Sequence, residues 1–563
     1  MEKTRILLFA LISVFFLSFI AILFNHKLQI TSYSVALFFL SALGLVLLNQ
    51  SYALTSSPVP TKMDFQPRNK LTLSISLLVN ICLALFIVWI MGRAGVLSLS
   101  FMMAIILLAA VGLTWLFFGG LLNKISIAYI IILAIALRLI WSFSIAPQPC
   151  DDFYNYWMTA QKMFYSIAPF QTKSPLTIIF YGIISYISDK QLWAAYIANS
   201  LVAGLQVWLI YKISDFITQN ELSGKMAAIL YAIFPTAVAF SSVISAEVVM
   251  VTMVLAAAYF LCRKFYLDSL QDAPNYKLKN IFLLFIMSLC VAVAYLSRNT
   301  AILFLYTIVV GILFFSSKKL KQRILEVIVM LALFFVFISP LIISNYHHYG
   351  KPSMVSVHIS GLVLLHGVSR ETAGRYDPVA RDKVLAELGY TNKQMNNPKV
   401  IMALSKRAGE VAIDNIMSDK LGFIKFAMTN KFDHMWVLEN YSKSVMYESK
   451  AFKDKSSSQL AMRKIDNIST QYYLGLWMLT LFSILVACIK RNIFISMLAC
   501  YILFTFALHF FYEAASRYHF PIMPFACIIA SYLVAESCVL KNFILKKSEI
   551  TNRFFIQNRI SKV

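Results

Sequence analysis

The chain has 563 residues, of which 60 % are hydrophobic and 13 % are charged. A soluble protein cannot bury this much apolar surface, so the composition excludes a soluble globular fold and indicates a polytopic membrane protein. The net charge of +24 comes from short basic clusters between apolar runs. That pattern is typical of membrane orientation and contact with anionic headgroups, and it argues against nucleic-acid binding.

Fourteen apolar runs are long enough to cross about 30 Å of hydrocarbon. The predicted spans are 5–24, 33–50, 71–92, 99–120, 126–146, 191–211, 225–241, 245–262, 280–296, 300–315, 323–344, 472–489, 493–512 and 518–540. The apolar stretch 174–188 is too short for a span, and we expect an interfacial helix there. The sequence therefore predicts an all-α membrane protein with about 14 transmembrane helices.

Basic residues in the short loops predict the orientation. If 174–188 does not cross the membrane, the loops on the same side of the membrane as the N-terminus carry 24 basic residues. The short loops on the other side carry seven. Basic loops remain in the cytoplasm, so both termini are expected there. The long segment 345–471 then lies outside the cytoplasm, on the same side as every ionisable residue discussed below.

Five regions are expected along the chain. These are an N-terminal four-helix membrane extension (1–125), a catalytic membrane core with an outer loop at 147–190 (126–344), a mostly helical extracytoplasmic domain (345–471), C-terminal transmembrane helices (472–540) and a basic cytoplasmic tail (541–563). In the outer domain, apolar residues recur at helical spacing from Val400 to Ile416. We expect this amphipathic helix to pack on the membrane domain, and a second helix at about 420–438.

The residues Asp151 and Asp152 directly follow a predicted span. Carboxylates are scarce near lipid, so a pair at the mouth of a helix indicates chemistry at the membrane surface. Asp152 is the candidate general base and shares a helix face with Tyr156, which is a substrate-binding candidate. Asp151 supports Asp152 or holds a divalent ion. The alternative is that one aspartate only caps the helix that begins at Phe153.

Four further ionisable residues are expected near the aspartates. Lys173, Arg298 and Arg517 each lie where the chain meets the outer membrane surface, and such cations bind the phosphate of a lipid carrier. Glu247 is a substrate-binding candidate at the same surface. A snorkelling lysine, arginines that anchor helix ends and a glutamate beside a helix N-cap are the alternatives. The eight cysteines are mostly in apolar runs, which predicts neither a disulfide framework nor a metal site, and we expect no cofactor.

Around these residues the chain resembles the GT-C type glycosyltransferases that use polyprenyl-phosphate sugars. Its closest resemblance is to the bacterial family-39-like branch of protein O-mannosyltransferases and lipid A aminoarabinose transferases. The run at 152–156 resembles the family motif Asp-x-x-x-Tyr, and 173–176 resembles Lys-Pro-Pro-Leu with a serine in place of the first proline. The runs at 297–300 and 517–521 resemble an Arg-Pro-Thr corner and an Arg-Tyr-x-x-Pro helix start, which adds Tyr518 to the substrate-binding candidates.

The resemblance implies a glycosyltransferase in the bacterial cytoplasmic (inner) membrane that moves one hexosyl or pentosyl unit with inversion. The implied partners are a polyprenyl-phosphate sugar donor and the lipid bilayer, with an extracytoplasmic acceptor that is a glycolipid, an envelope polymer or a protein. An O-antigen polymerase or ligase and a lipid or oligosaccharide transporter are the alternatives. A transporter would place its polar site near the membrane midplane.

Overall fold

The structure is a computed structural model that describes residues 70–94, 122, 124–165, 170, 172–270, 275–355, 359–395, 397–447 and 456–535. All regular elements in these ranges are helical, which confirms the all-α prediction. The predicted spans 5–24, 33–50 and 99–120 and the tail 541–563 lie outside the described residues, as does most of the predicted N-terminal extension.

Apart from single turns and the short helical segment formed by Asn430–Phe432 and Asp433–Val437, nineteen helices follow one another within these ranges. They are α1 Lys70–Arg93, α2 Ile127–Ile145, α3 Asp151–Lys162, α4 Pro175–Ile187, α5 Leu192–Thr218, α6 Glu221–Ala232, α7 Pro235–Phe240, α8 Ala246–Ser269, α9 Tyr276–Ser297, α10 Asn299–Phe315, α11 Leu320–Tyr349, α12 Ser360–Val368, α13 Pro378–Glu387, α14 Pro398–Ser418, α15 Lys420–Met428, α16 Tyr441–Tyr447, α17 Ser456–Lys490, α18 Ile493–Phe511 and α19 Ser516–Ala535. Nine of the helices in the described ranges are long and apolar enough to cross a membrane: α1, α2, α5, α8, α9, α11, α17, α18 and α19. The predicted number of 14 is therefore not confirmed.

The predicted span 225–241 is a broken helix rather than a continuous one. Its first half, α6, starts beside the end of α5, where the hydroxyls of Ser214 and Ser223 are 3.3 Å apart. Pro235 has no backbone N–H and begins the second half, α7. The segment ends beside the start of α5, where the Asn199 side chain donates to the carbonyl of Ser241 at 3.2 Å. The two halves together therefore run the length of α5.

The break between α6 and α7 explains a buried arginine in α2. Arg138 is fully buried and donates to the carbonyls of Ala232 and Tyr231 at 2.9 and 3.3 Å. These carbonyls lie at the end of α6, where the regular helical hydrogen bonds stop. A cation at a helix C-terminus also interacts favourably with the helix dipole. Arg138 therefore stabilises the broken helix and is not near the site described below.

The helix α4, predicted as interfacial, has 13 residues and is too short to span a membrane. It packs against α3, because Gly182 lets the two helices approach closely. A Cβ atom at Gly182 would lie 3.3 Å from the carbonyl oxygen of Ala160. The hairpin of α3 and α4 is thus held over the ends of the spanning helices.

The outer helices α12–α15 have a hydrophobic core of their own. Val400, Leu404 and Ala408 of α14 are buried in it against α12 and α13. The expectation that α14 packs mainly on the membrane domain is wrong, because its apolar face is covered by its neighbours in the outer domain. Contact with the membrane domain is made by α12, whose Val363 carbonyl accepts the N–H of Glu513 at 3.2 Å, and by α15, whose Phe423 stacks on Phe511 with ring centroids 5.9 Å apart.

The opposite end of the bundle is closed by a balanced charge cluster. Lys264 binds Asp268 and Glu326, each at 2.8 Å, and Lys318 binds the same two carboxylates. All four side chains are buried. Because each charge has an opposite partner, the cluster joins α8, α11 and the loop before α11.

Candidate active site

The carboxylate of Asp152 lies between two cations at the end of the bundle that carries the outer helices. Its Oδ1 atom is 3.0 Å from Lys173 Nζ, and its Oδ2 atom is 3.2 Å from Arg517 Nη2. Burial alone would raise the pKa of Asp152, but Lys173 and Arg517 outweigh it and hold the pKa below its usual value. Asp152 is therefore ionised at neutral pH, and 31 % of its side chain is exposed.

Neither aspartate caps α3. Cys150 is the N-cap residue, and α3 begins at Asp151 in a left-handed conformation (φ 46°). Aspartate tolerates this conformation better than most residues. Asp151 is exposed and forms no hydrogen bond or ion pair with the described part of the chain. The structure thus brings Asp152 into the cluster and leaves Asp151 at its edge.

Tyr156 joins α3 to the start of α4 just beneath Lys173. It lies one helical turn after Asp152 and is buried, and its hydroxyl accepts a hydrogen bond from Ser174 at 3.3 Å. Ser174 is the N-cap of α4, and its side chain makes no capping bond there. Pro175 fixes the first turn of α4. Lys173 is therefore held at the helix start with 46 % of its side chain exposed.

Two arginines from distant parts of the chain meet over one tyrosine ring. The guanidinium carbons of Arg298 and Arg517 are 5.0 and 5.1 Å from the centroid of the Tyr518 ring. Such cation–π contacts hold both planar groups in place. Arg298 also donates to the carboxylate of Glu247, which is buried at the start of α8. Five of the predicted residues are thus joined in one network with Asp152: Lys173, Glu247, Arg298, Arg517 and Tyr518.

Glu513 belongs to the same network, although it is not among the residues predicted to bind substrate. Its carboxylate accepts a hydrogen bond from the hydroxyl of Tyr518 at 3.1 Å. Burial raises the pKa of Glu513, and Arg517 opposes this effect. The sequence places Glu513 on the expected surface but gives no motif that would separate it from a loop residue.

The outer helices hold the loop that precedes Arg517. The backbone N–H of Glu513 donates to the carbonyl of Val363 at 3.2 Å, and that of Ala514 donates to Gly374 at 2.8 Å. The buried amine of Lys431 donates to the carbonyls of Gly367 and Phe510 at 2.8 and 3.0 Å. The outer domain therefore positions part of the site as well as covering it.

The described ranges contain no cluster of metal ligands. No group of three or more histidine, cysteine, aspartate or glutamate side chains there is arranged to hold a metal ion. Asp152 and Glu247 are each engaged by cations instead. With three cations and few free carboxylates, the cluster is suited to an anionic group such as a phosphate.

Part of this cluster lies in a segment that matches a known protein family. Residues 172–343 match the sequence model of the dolichyl-phosphate-mannose-protein mannosyltransferase family. Over this segment, the chain is similar to a family of GT-C type membrane glycosyltransferases. The matched range includes Lys173, Glu247 and Arg298, whereas Asp152 and Arg517 lie outside it.

A solved structure similar to this one is the archaeal oligosaccharyltransferase AglB from Archaeoglobus fulgidus, in complex with an inhibitory peptide and a dolichol-phosphate. The TM-score is 0.44 at 10 % sequence identity, and the match covers 76 % of this chain. The chain spans about half (52 %) of the length of that structure. Among curated proteins, none matches this sequence significantly.

Proposed function

We propose that this protein is a glycosyltransferase that moves a single sugar from a polyprenyl-phosphate donor to an acceptor on the extracytoplasmic face, with Asp152 as the general base. A polyprenyl-phosphate donor is supported by the matched family, whose name specifies a dolichyl-phosphate sugar. The side of the membrane is supported by the loop charges. The basic loops belong to the opposite end of the bundle from Asp152, and basic loops favour the cytoplasm.

The observation that carries the proposal is the position of Asp152 between Lys173 and Arg517. One carboxylate contacts both cations through separate oxygens, at 3.0 and 3.2 Å. A phosphate presents its oxygens to two cations in the same way. Asp152 thus occupies the position expected for the donor phosphate, and the phosphate would displace it from the two cations.

When the donor phosphate displaces Asp152 from the two cations, the Asp152 carboxylate also becomes a better proton acceptor. While Lys173 and Arg517 contact the carboxylate, they keep its pKa low, so it is a poor proton acceptor. Once a phosphate takes over these cations and adds its own negative charge, the pKa of Asp152 rises. Binding of the donor therefore prepares the carboxylate to accept a proton from the acceptor.

The transfer itself is a single displacement. The acceptor oxygen attacks the anomeric carbon of the sugar while Asp152 takes the proton of that oxygen. The bond between the anomeric carbon and the phosphate oxygen breaks, and its electron pair leaves with the polyprenyl phosphate. Lys173, Arg298 and Arg517 stabilise the charge that develops on this leaving group. A single displacement inverts the anomeric carbon.

Transfer by the purified protein tests the proposal. The protein in lipid nanodiscs is given radiolabelled polyprenyl-phosphate hexoses and pentoses together with extracts of membrane acceptors. We expect transfer from at least one donor, a loss of about 100- to 10,000-fold in kcat for Asp152→Asn, and full activity for Tyr259→Phe. Tyr259 packs beside Trp208, away from the site. Equal transfer by wild type and Asp152→Asn would refute the proposed base.

A further inference from the structure

Several buried polar atoms beside the cationic cluster have no hydrogen-bond partner in the described part of the chain. They include Oε2 of Glu247, the hydroxyl of Tyr441 and the hydroxyl of Ser245. All three residues are at least nine-tenths buried, with exposures of 1 %, 6 % and 0 %. Buried polar groups are normally paired, because burial without a partner costs free energy. Unpaired groups next to a reaction site indicate that a ligand completes them.

Ser245 and Glu247 are both at the start of α8. Ser245 is the N-cap residue, yet its side chain makes no capping bond, although serine commonly caps helices with its hydroxyl. Its backbone is fixed by Tyr181, whose hydroxyl accepts from the Ser245 N–H at 3.2 Å. Glu247 uses one oxygen to bind Arg298 and leaves the other unpaired. The free oxygens therefore belong to rigidly held side chains.

Tyr441 reaches the same region from the outer domain. Its ring stacks on Phe240 with centroids 4.3 Å apart, and Phe240 stacks in turn on Phe520 at 3.9 Å. The neighbouring Asn440 accepts a hydrogen bond from Ser516 at 2.8 Å, next to Arg517. Burial, followed by the charge of Glu247, raises the pKa of Tyr441 well above its usual value, while Arg517 opposes this. The Tyr441 phenol is thus a neutral group close enough to Glu247 and Arg517 for their charges to act on it.

We propose that Glu247, Tyr441 and Ser245 form the subsite that binds the hydroxyl groups of the donor sugar. This inference rests on the proposed function, because it assumes that the donor phosphate is held by Lys173, Arg298 and Arg517. The sugar is attached directly to that phosphate, so it must lie beside these cations. Glu247 contacts Arg298 directly, which puts its free oxygen within the reach of a single sugar ring.

The burial of the residues on each side of the cations indicates which side binds the donor sugar and which side binds the acceptor. Glu247 is almost completely buried, whereas Asp152 and Lys173 are partly exposed. A donor that enters from the bilayer reaches the buried side of the cations, and the acceptor approaches from the exposed side, where the base lies. The unpaired atoms are therefore assigned to the donor sugar.

The charges in the subsite favour a neutral polyhydroxyl group. The charge of Glu247 is already balanced by Arg298, and Arg517 adds a further positive charge nearby. An amino sugar would bring another cation beside an ion pair that is already neutral. Hydroxyl groups instead donate to the free carboxylate oxygen and bond with the hydroxyls of Tyr441 and Ser245.

Binding of defined lipids to the full-length protein in nanodiscs tests the subsite. The probes are undecaprenyl phosphate and its derivatives with a hexose, a pentose or an amino-substituted pentose. Wild type is expected to bind at least one hydroxyl sugar derivative more tightly than undecaprenyl phosphate. Glu247→Gln should lower that preference by about 10- to 100-fold, the range expected for a lost hydrogen bond to a charged group, and Tyr441→Phe by about 2- to 10-fold, the range expected for a neutral hydrogen bond.

The controls separate this inference from the proposed function. Neither variant should weaken the binding of undecaprenyl phosphate, whereas Lys173→Met should weaken the binding of every lipid. The subsite is refuted if both variants retain the full sugar preference, if wild type has no preference, or if the amino-substituted pentose binds best. Wild type that does not bind undecaprenyl phosphate at all would instead refute the proposed function. Ser245→Ala provides a third variant without a change of charge or ring packing.

Discussion

Replacing Asp152 with asparagine should tighten the binding of undecaprenyl phosphate while it slows transfer. In the wild type, the phosphate must displace the Asp152 carboxylate from Lys173 and Arg517, which it contacts at 3.0 and 3.2 Å. Asparagine has no charge, so the competition is weaker. The ion pairs are partly exposed, and solvent screening limits each to about 0.5–1 kcal/mol. Removing both contributes about 1–2 kcal/mol to phosphate affinity, which corresponds to roughly 5- to 30-fold tighter binding.

The assay is a titration of the protein in nanodiscs with undecaprenyl phosphate at low ionic strength, followed by fluorescence competition. Asp151→Asn is the matched control, because Asp151 is exposed and has no charged partner among the described residues. Its affinity for the lipid should equal that of the wild type. Unchanged or weaker binding by Asp152→Asn would refute the idea that Asp152 occupies the phosphate position.

Three further predictions follow from the surroundings of the site. Gly367→Val should lower activity at least several-fold, because even a Cβ atom at Gly367 would lie 2.2 Å from the carbonyl oxygen of Phe511. Gly475→Ala is the control and should stay active, because a Cβ atom at Gly475 would meet open space. In thermal unfolding, wild type should gain stability relative to Lys431→Met from about pH 7 to pH 10. Burial lowers the pKa of Lys431 to about 7, so the unfolded chain binds more protons over this range; a parallel pH dependence of the two proteins would contradict this. In steady-state kinetics, the acid limb of kcat/KM due to Asp152 should lie below the ordinary pKa of an aspartate, because Lys173 and Arg517 lower the pKa of Asp152 in the free enzyme. The acid limb of kcat should lie at higher pH, since donor binding removes these cations from Asp152. Coinciding limbs would contradict the mechanism.

The sequence predicts the fold class well because length and hydropathy determine which helices can span a membrane. Eleven of the predicted spans fall wholly or largely within the described ranges, and nine helices there meet the length and composition needed to cross. The break at Pro235 could have been expected from the missing backbone N–H. The role of Arg138 could not, because its partners Ala232 and Tyr231 are more than 90 residues away.

The sequence indicates several residues of the candidate cluster but not their pairings. A common membrane face, motif spacing and the scarcity of charges near lipid indicate Asp152, Lys173, Arg298 and Arg517. The pairing of Arg298 with Glu247 depends on how α8 and α9 pack, which no local pattern encodes. Sequence analysis does not select Tyr441 or Ser245, since a buried hydroxyl without a partner is visible only in three dimensions.

A structure with undecaprenyl phosphate, determined by electron cryo-microscopy in nanodiscs, would show whether the lipid phosphate replaces Asp152 at the two cations. We expect the phosphate to lie within hydrogen-bond distance of both Lys173 and Arg517, and the Asp152 carboxylate to have left both cations and to face the exposed side. A phosphate bound elsewhere, or an Asp152 that still contacts both cations beside the bound lipid, would contradict this expectation.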